Sequence, residues 1–65
     1  MNLKIERIKK GLTQEQLSKK ADVCRLTISN IENGKVNIKN IQLGVLIRLA
    51  RALESDIETL FLNEN

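Results

Sequence analysis

Residues 25–35 read RLTISNIENGK, and the fold turns on how they are read. Ile28 and Ile31 stand three apart, the spacing of neighbours on one face of a helix. Around them lie Arg25, Thr27, Asn30, Asn33 and Lys35, whose donors and acceptors a core would reject unless each found a partner. Positions 25, 26, 29, 30 and 33 fall at helical steps opposite the isoleucine stripe. The stretch therefore reads as a short amphipathic helix over about 25–33, stopped by Gly34. Its outer side is either an ordinary wetted face or a surface that reads another polar surface.

The chain around it is short. Sixty-five residues make one small domain, and a chain of that size buries only about 60% of the surface it exposes when unfolded. Such domains lean on disulfides, metals, tight helix packing or a second subunit. One cysteine, Cys24, excludes an internal disulfide, and with no histidine it cannot assemble a zinc site. Helix packing and oligomerisation remain. No segment approaches the roughly 20 apolar residues of a membrane span. MNLKIERIKK at the N-terminus is charged throughout and lacks the apolar region of a signal peptide. The expectation is a cytoplasmic protein. Net charge is +3, unevenly placed: residues 1–39 carry nine Lys/Arg against four Asp/Glu, and residues 40–65 two against four. That asymmetry points the first part toward an anionic surface.

With no proline and three glycines, the chain reads as helices joined by short turns. Asn2 is placed to cap a first helix running to about Lys10, with Leu3, Ile5 and Ile8 as its apolar contacts. Gly11 sits where a helix stop favours a left-handed residue. Thr13 to Gln16, TQEQ, fits a capping box and opens a second helix, 14–21, that carries Leu17 inward. Asp22 and Val23 form the break before the third helix. Ile38 anchors the polar loop 35–40. A fourth helix is expected over 41–53, with Leu43, Leu46, Ile47, Ala50 and Leu53 as its buried stripe. Asp56 then caps a short fifth helix, about 57–62, containing Ile57, Leu60 and Phe61. The closing Asn63–Asn65 should fray.

GLTQEQLSKKADV followed in register by TISNIENGK closely resembles the Cro/lambda-repressor-like (XRE) helix-turn-helix family, from about Leu3 to Phe61. The resemblance implies an all-α, compact five-helix lambda-repressor-like domain with the helix-turn-helix at helices 2 and 3, and double-stranded DNA as partner through its major groove. By the same resemblance Arg25, Leu26 and Asn30 face base edges, while Gln14, Thr27, Asn33 and Lys35 approach the DNA backbone. Gln14 can also brace the recognition helix. Arg7 and Glu32 match positions that pair between the first helix and the end of the third. Side-chain chemistry agrees with this division: Arg bonds guanine O6 and N7 together, Asn bonds adenine N6 and N7, and a leucine can pack on a thymine methyl. Each residue has a plainer reading. Arg25, Asn30 and Lys35 are also ordinary solvated residues, Thr27 can satisfy its own turn, and Leu26 can support the packing of helices 2 and 3. Cys24 stands where the family usually has Ser or Thr as a cap, and Asp22 where it often has Gly.

The leading functional expectation is a sequence-specific transcriptional regulator acting as a homodimer on a two-fold symmetric operator, of phage-repressor or restriction–modification-controller type. One recognition helix reads only a few base pairs, and two-fold symmetry doubles the length read. Ile41, Val45, Leu49, Ile57, Phe61 and Leu62 supply a candidate dimer interface, although Phe61 and others can instead close the core. The competing expectation is an antitoxin that binds both DNA and a protein toxin. An enzyme is disfavoured: there is no histidine, no thiol paired with a base, and no glycine-rich phosphate loop. No metal, cofactor or small-molecule ligand is expected.

Overall fold

In the computed structural model, which describes residues 2–62, every regular element is helical. They are α1 (Leu3–Lys9), α2 (Gln14–Ala21), α3 (Arg25–Glu32), α4 (Leu43–Ala52) and a five-residue π-wound helix, α5 (Glu58–Leu62). A single 3-10 turn, Ile38–Asn40, interrupts the α3–α4 connection. The tail Asn63–Asn65, expected to fray, lies outside the described residues.

Local chemistry sets the start and stop of the first three helices. Thr13 Oγ1 accepts from the Gln16 N–H at 3.0 Å, and the Gln16 side chain accepts from the Thr13 N–H at 2.8 Å. This reciprocal box satisfies two groups that a helix start leaves without partners. Gly11 and Gly34 hold φ of +71° and +69°, backbone that a side chain disfavours. Asp22 takes the same left-handed conformation, φ 56° and ψ 48°. The turn is secured by Val23, whose N–H donates to Ser18 O while its carbonyl accepts from the Ser18 hydroxyl at 2.6 Å. Cys24 precedes α3 without a side-chain cap bond.

The core gathers Leu3, Leu17, Ala21, Val23, Ile28, Ile31, Leu46, Leu49, Ala50, Ala52, Leu53, Leu60 and Phe61. α2 packs on both α3 and α4, and α1 packs on α3 and α5. The two ends of the chain are tied: the Asn2 N–H donates to Leu60 O at 2.8 Å, and its side-chain amide donates to Thr59 O at 3.2 Å. Asn2 does not cap α1 with its side chain as expected: its donors are turned to α5, and its Oδ1, the atom a cap would use, is buried without a hydrogen-bond partner.

Three further expectations need correction. Ile5 and Ile8 lie exposed, since the inward face of α1 is Leu3 and Arg7. An arginine has taken a core position and turned the isoleucines outward. The fourth helix starts at Leu43, not Ile41. Asn37 accepts from the Lys39 N–H and nucleates the 3-10 turn, and Ile41 donates its N–H to Ile38 O in extended backbone. The late start leaves Leu43 at the open first turn, 63% exposed. About 70° separates it from the centre of the stripe formed by Leu46, Leu49, Ala50 and Leu53, at roughly 100° per residue. Finally, Leu49 is 0% exposed and Phe61 6%. Both are core residues of the monomer, so neither offers exposed surface to a second subunit.

The exit from α4 carried no sequence signal. Glu54 adopts a left-handed φ of 53°, and Ser55 donates its N–H back to Ala50 O at 2.9 Å. The Glu54 carboxylate meets Lys10 Nζ at 3.1 Å, which gives this turn a partner on the far side of the α1 end. Asp56 then accepts from the Thr59 N–H at 2.7 Å and starts the last helix.

Candidate nucleic-acid interface

A recognition surface needs a helix held rigidly with its outer face bare. Glu32, the last residue of α3, does the holding. Its Oε2 accepts from Arg7 Nε at 2.7 Å and its Oε1 from Arg7 Nη2 at 3.1 Å. This is the paired fork geometry in which guanidinium and carboxylate bond most strongly. Gln14 Nε2 donates to the same Oε1 at 3.1 Å, and Arg7 Nη1 donates to Leu12 O at 2.7 Å. One carboxylate thus joins α1, the start of α2 and the end of α3.

The clamp is nearly dry: the Glu32 side chain is 2% exposed and that of Arg7 11%. Burial alone pushes the Glu32 carboxyl up. The hydrogen bonds from Arg7 and then Gln14, with the charges of Arg7 and Lys4, outweigh it and hold the group below the ordinary carboxylate value. The same hydrogen bond from the other side raises Arg7, against the opposing effect of its own burial. Both groups stay charged across the physiological range.

With its end fixed and Ile28 and Ile31 buried, α3 turns a defined ridge outward. Leu26, Asn30 and Asn33 follow one another at four- and three-residue steps on the side away from Ile28, with Ser29 beside them. Leu26 is 66% exposed, so it does not support the packing of α2 on α3. Arg25 is exposed at the first residue of the helix, and Thr27 is half-buried at its flank. Asn33 Nδ2 donates to Ser29 Oγ at 3.3 Å, one turn back along the ridge. Lys35 returns its N–H to Asn30 O at 2.9 Å and keeps its side chain in solvent. Among the described residues the ion pairs involve neither Arg25 nor Lys35.

Two contributions escaped sequence reasoning. Ser29 is the internal partner of Asn33, visible only as a four-residue helical spacing. Lys20, Asp22, Arg48 and Arg51, with Ala21 and Ala52, line an open groove of about 400 Å3 where α2 ends against α4. Arg48 and Arg51 share a face of α4, a pattern that sequence alone assigns to solvent. The described residues contain no cluster of three or more His, Cys, Asp or Glu able to hold a metal ion. No described helix is long and apolar enough to cross a membrane.

A helix-turn-helix is defined by two helices set at a short turn so that the second can enter the major groove. α2, the Asp22–Cys24 turn and α3 have that arrangement. Residues 3–60 match the helix-turn-helix family. The chain is also 43% identical over 56 residues to an uncharacterized HTH-type transcriptional regulator of Archaeoglobus fulgidus, a match covering 86% of this chain and 76% of that protein. The chain belongs to the helix-turn-helix family, and within it to the XRE type with the lambda-repressor-like fold.

Proposed function

We propose that the protein is a sequence-specific transcriptional regulator that binds double-stranded DNA as a homodimer on a two-fold symmetric operator, as compact repressors of the phage type do. The observation that carries this reading is the clamp. Arg7, Gln14 and Glu32 hold α3 from behind, which supports reading its outward side chains as the surface that meets base edges.

In this reading Arg25 takes guanine O6 and N7, Asn30 takes adenine N6 and N7, and Leu26 contributes an apolar contact. Thr27, Asn33 and Lys35 grip the sugar–phosphate backbone at the flank and end of the helix. Gln14 opens α2 beside them. One of its amide hydrogens is held by Glu32, so its backbone contact uses what remains of that amide. Such contacts position the protein, while base contacts specify the site.

The dimer interface in this proposal is drawn from the surface that the core leaves uncovered. Ile41, Val45 and Ile57 are half-buried and Leu62 is exposed. Leu43 and the half-buried Ile47, one helical turn apart on α4, lie about 160° around the helix from Val45 and make a separate apolar surface. These apolar side chains are what a small domain without disulfide or metal has available for a second subunit. The test is selection of bound sequences from random duplex DNA by the wild type, Arg25→Ala and Asn30→Ala. The reading expects a two-fold symmetric site that relaxes at different positions in each variant. Enrichment of nothing, with only weak binding at low salt, contradicts it.

A further inference from the structure

The groove between the end of α2 and α4 belongs neither to the clamp nor to the α3 ridge. It is open, measures about 400 Å3, and is lined by Lys20, Ala21, Asp22, Arg48, Arg51 and Ala52. The two alanines are buried and form its floor, so three cations and one carboxylate make up the rim. Among the described residues no ion pair involves Lys20, Arg48 or Arg51. Lys20 lies close enough to Glu54 to help hold that carboxyl low, yet Lys10 has already taken the carboxylate at 3.1 Å. Lys20 and Arg51 stand in the last turns of their helices, where a cation suits the helix end. Arg48 has no such reason to be there. It is exposed in the middle of α4, and its Nη1 lies 3.4 Å from where a side chain on Gly44 would begin. Its guanidinium therefore lies beside bare backbone, one turn back along the helix.

We propose that this groove docks an acidic segment of a second protein, whose carboxylates take Arg48, Arg51 and Lys20 while its aliphatic parts cover Ala21 and Ala52. Arginine forks match carboxylates with paired hydrogen bonds. Asp22 decides between a peptide and a nucleic-acid strand. A peptide brings backbone N–H groups that can donate to Asp22, whereas a DNA backbone brings phosphates and no donor. Placement agrees with this choice. α2 packs on α3 and on α4, and α3 and α4 are not a principal packing pair, so the groove lies on the α4 side of α2. DNA laid along α3 leaves it open. The proposal goes beyond DNA recognition: it gives the chain a second partner, held at the same time as a duplex.

The probe is a capped hexapeptide alternating glutamate and alanine, titrated into the full isotope-labelled chain and followed by amide resonances. A glutamine–alanine hexapeptide serves as control. The acidic peptide should shift the amides of Lys20, Ala21, Asp22, Arg51 and Ala52, and the control peptide should not. Arg48→Glu and Arg51→Glu should each weaken binding at least about fivefold, the share of one solvent-exposed ion pair. Lys9→Glu, which changes net charge equally on α1, should bind as the wild type does. Both arginines are exposed, and Arg48→Gln and Arg51→Gln remove the charge should either reversal disturb the fold, judged by circular dichroism. Repeating the titration with duplex DNA bound should leave the same amides responsive. No shifts at millimolar peptide, or equal losses in all three charge-reversal variants, would overturn the docking site. So would a duplex that abolishes the shifts while Arg48→Glu flattens the salt dependence of DNA binding, since the groove would then hold phosphate. Failure to select any operator would overturn sequence-specific DNA binding and leave the groove's result standing.

Discussion

The two halves of the molecule are held together by opposite means. On one side α1, α2 and α3 meet around Arg7, Gln14 and Glu32, a buried polar knot with defined hydrogen-bond lengths. On the other, α4 and α5 close the core through Leu49, Leu53, Leu60 and Phe61, which are directionless apolar contacts. Apolar burial stabilises wherever shapes fit, whereas a buried ion pair fixes an orientation and stabilises little beyond an apolar replacement. The polar knot lies directly behind the helix whose outward angle matters most. Both halves feed the apolar core, Leu3, Leu17, Ile28 and Ile31 from the first and Leu49, Leu53 and Leu60 from the second, while the first also carries the polar knot that orients α3.

Breaking the knot from one side should produce the largest effect. Arg7→Ala strands a buried carboxylate and should lower unfolding free energy by about 3–5 kcal/mol in denaturant titration. The double variant Arg7→Met, Glu32→Leu removes both charges and should regain most of that loss while still discriminating DNA sequences poorly. A double variant as unstable as the single one would show that the pair itself supplies the stability, and the contrast between halves would fail.

Leu49→Ala tests the other half. The side chain is wholly buried, so its loss should cost about 2–5 kcal/mol. Below its unfolding temperature the variant should keep the base preferences of the wild type. Altered preferences would mean that α4 also aims the recognition helix.

A smaller effect separates the halves by pH. The folded Glu32 carboxyl lies below its ordinary value, about 4.3 for an unfolded chain. Its contribution is therefore complete above that unfolded value and is lost as pH falls through the lower folded one. Glu32→Gln should flatten this acid limb, measured as unfolding midpoints between pH 2 and 6. Leu49→Ala should shift the whole curve down without changing its slope. Asp56, held low by the backbone N–H of Thr59, and Glu54, held low by Lys10, leave a residual slope in both variants.

The smallest change in stability is expected at Leu43. Because it is exposed at the open end of α4, Leu43→Ser should change stability by no more than about 0.5 kcal/mol. If α4 contributes to the dimer, sedimentation should nonetheless show weaker self-association. An unchanged association constant would remove Leu43 from the interface.

The parts legible in the sequence are those fixed by neighbours along the chain. Thr13 and Gln16 bond across three residues, and Gly11, Gly34 and Asp22 answer to backbone sterics alone, so their residue types announce the turns. Arg7 and Glu32 stand 25 residues apart, and their pairing was visible only through the family resemblance. What the sequence hid depends on tertiary choices. Ile5 and Ile8 look like core until Arg7 claims the inward face. Ile41 looks helical until Asn37 diverts the chain into a 3-10 turn. Leu49 and Phe61 look available until the packing of α4 and α5 buries both in the monomer's core. For the interface, side-chain type suggested base-reading chemistry, but only the structure separated the bare Leu26 from a packing role.

Aiming and gripping are distinguished most directly by measuring Asn30→Ala against the wild type on the selected operator and on a scrambled duplex over a range of salt concentrations. If α3 reads bases from a face fixed by Glu32, the variant should lose operator-over-scrambled preference by about 1–3 kcal/mol while keeping the slope of affinity against salt. A variant that keeps the preference, or loses affinity equally for both duplexes with a shallower salt slope, would mean that Asn30 grips the backbone and that the outward ridge of α3 is not the reading surface.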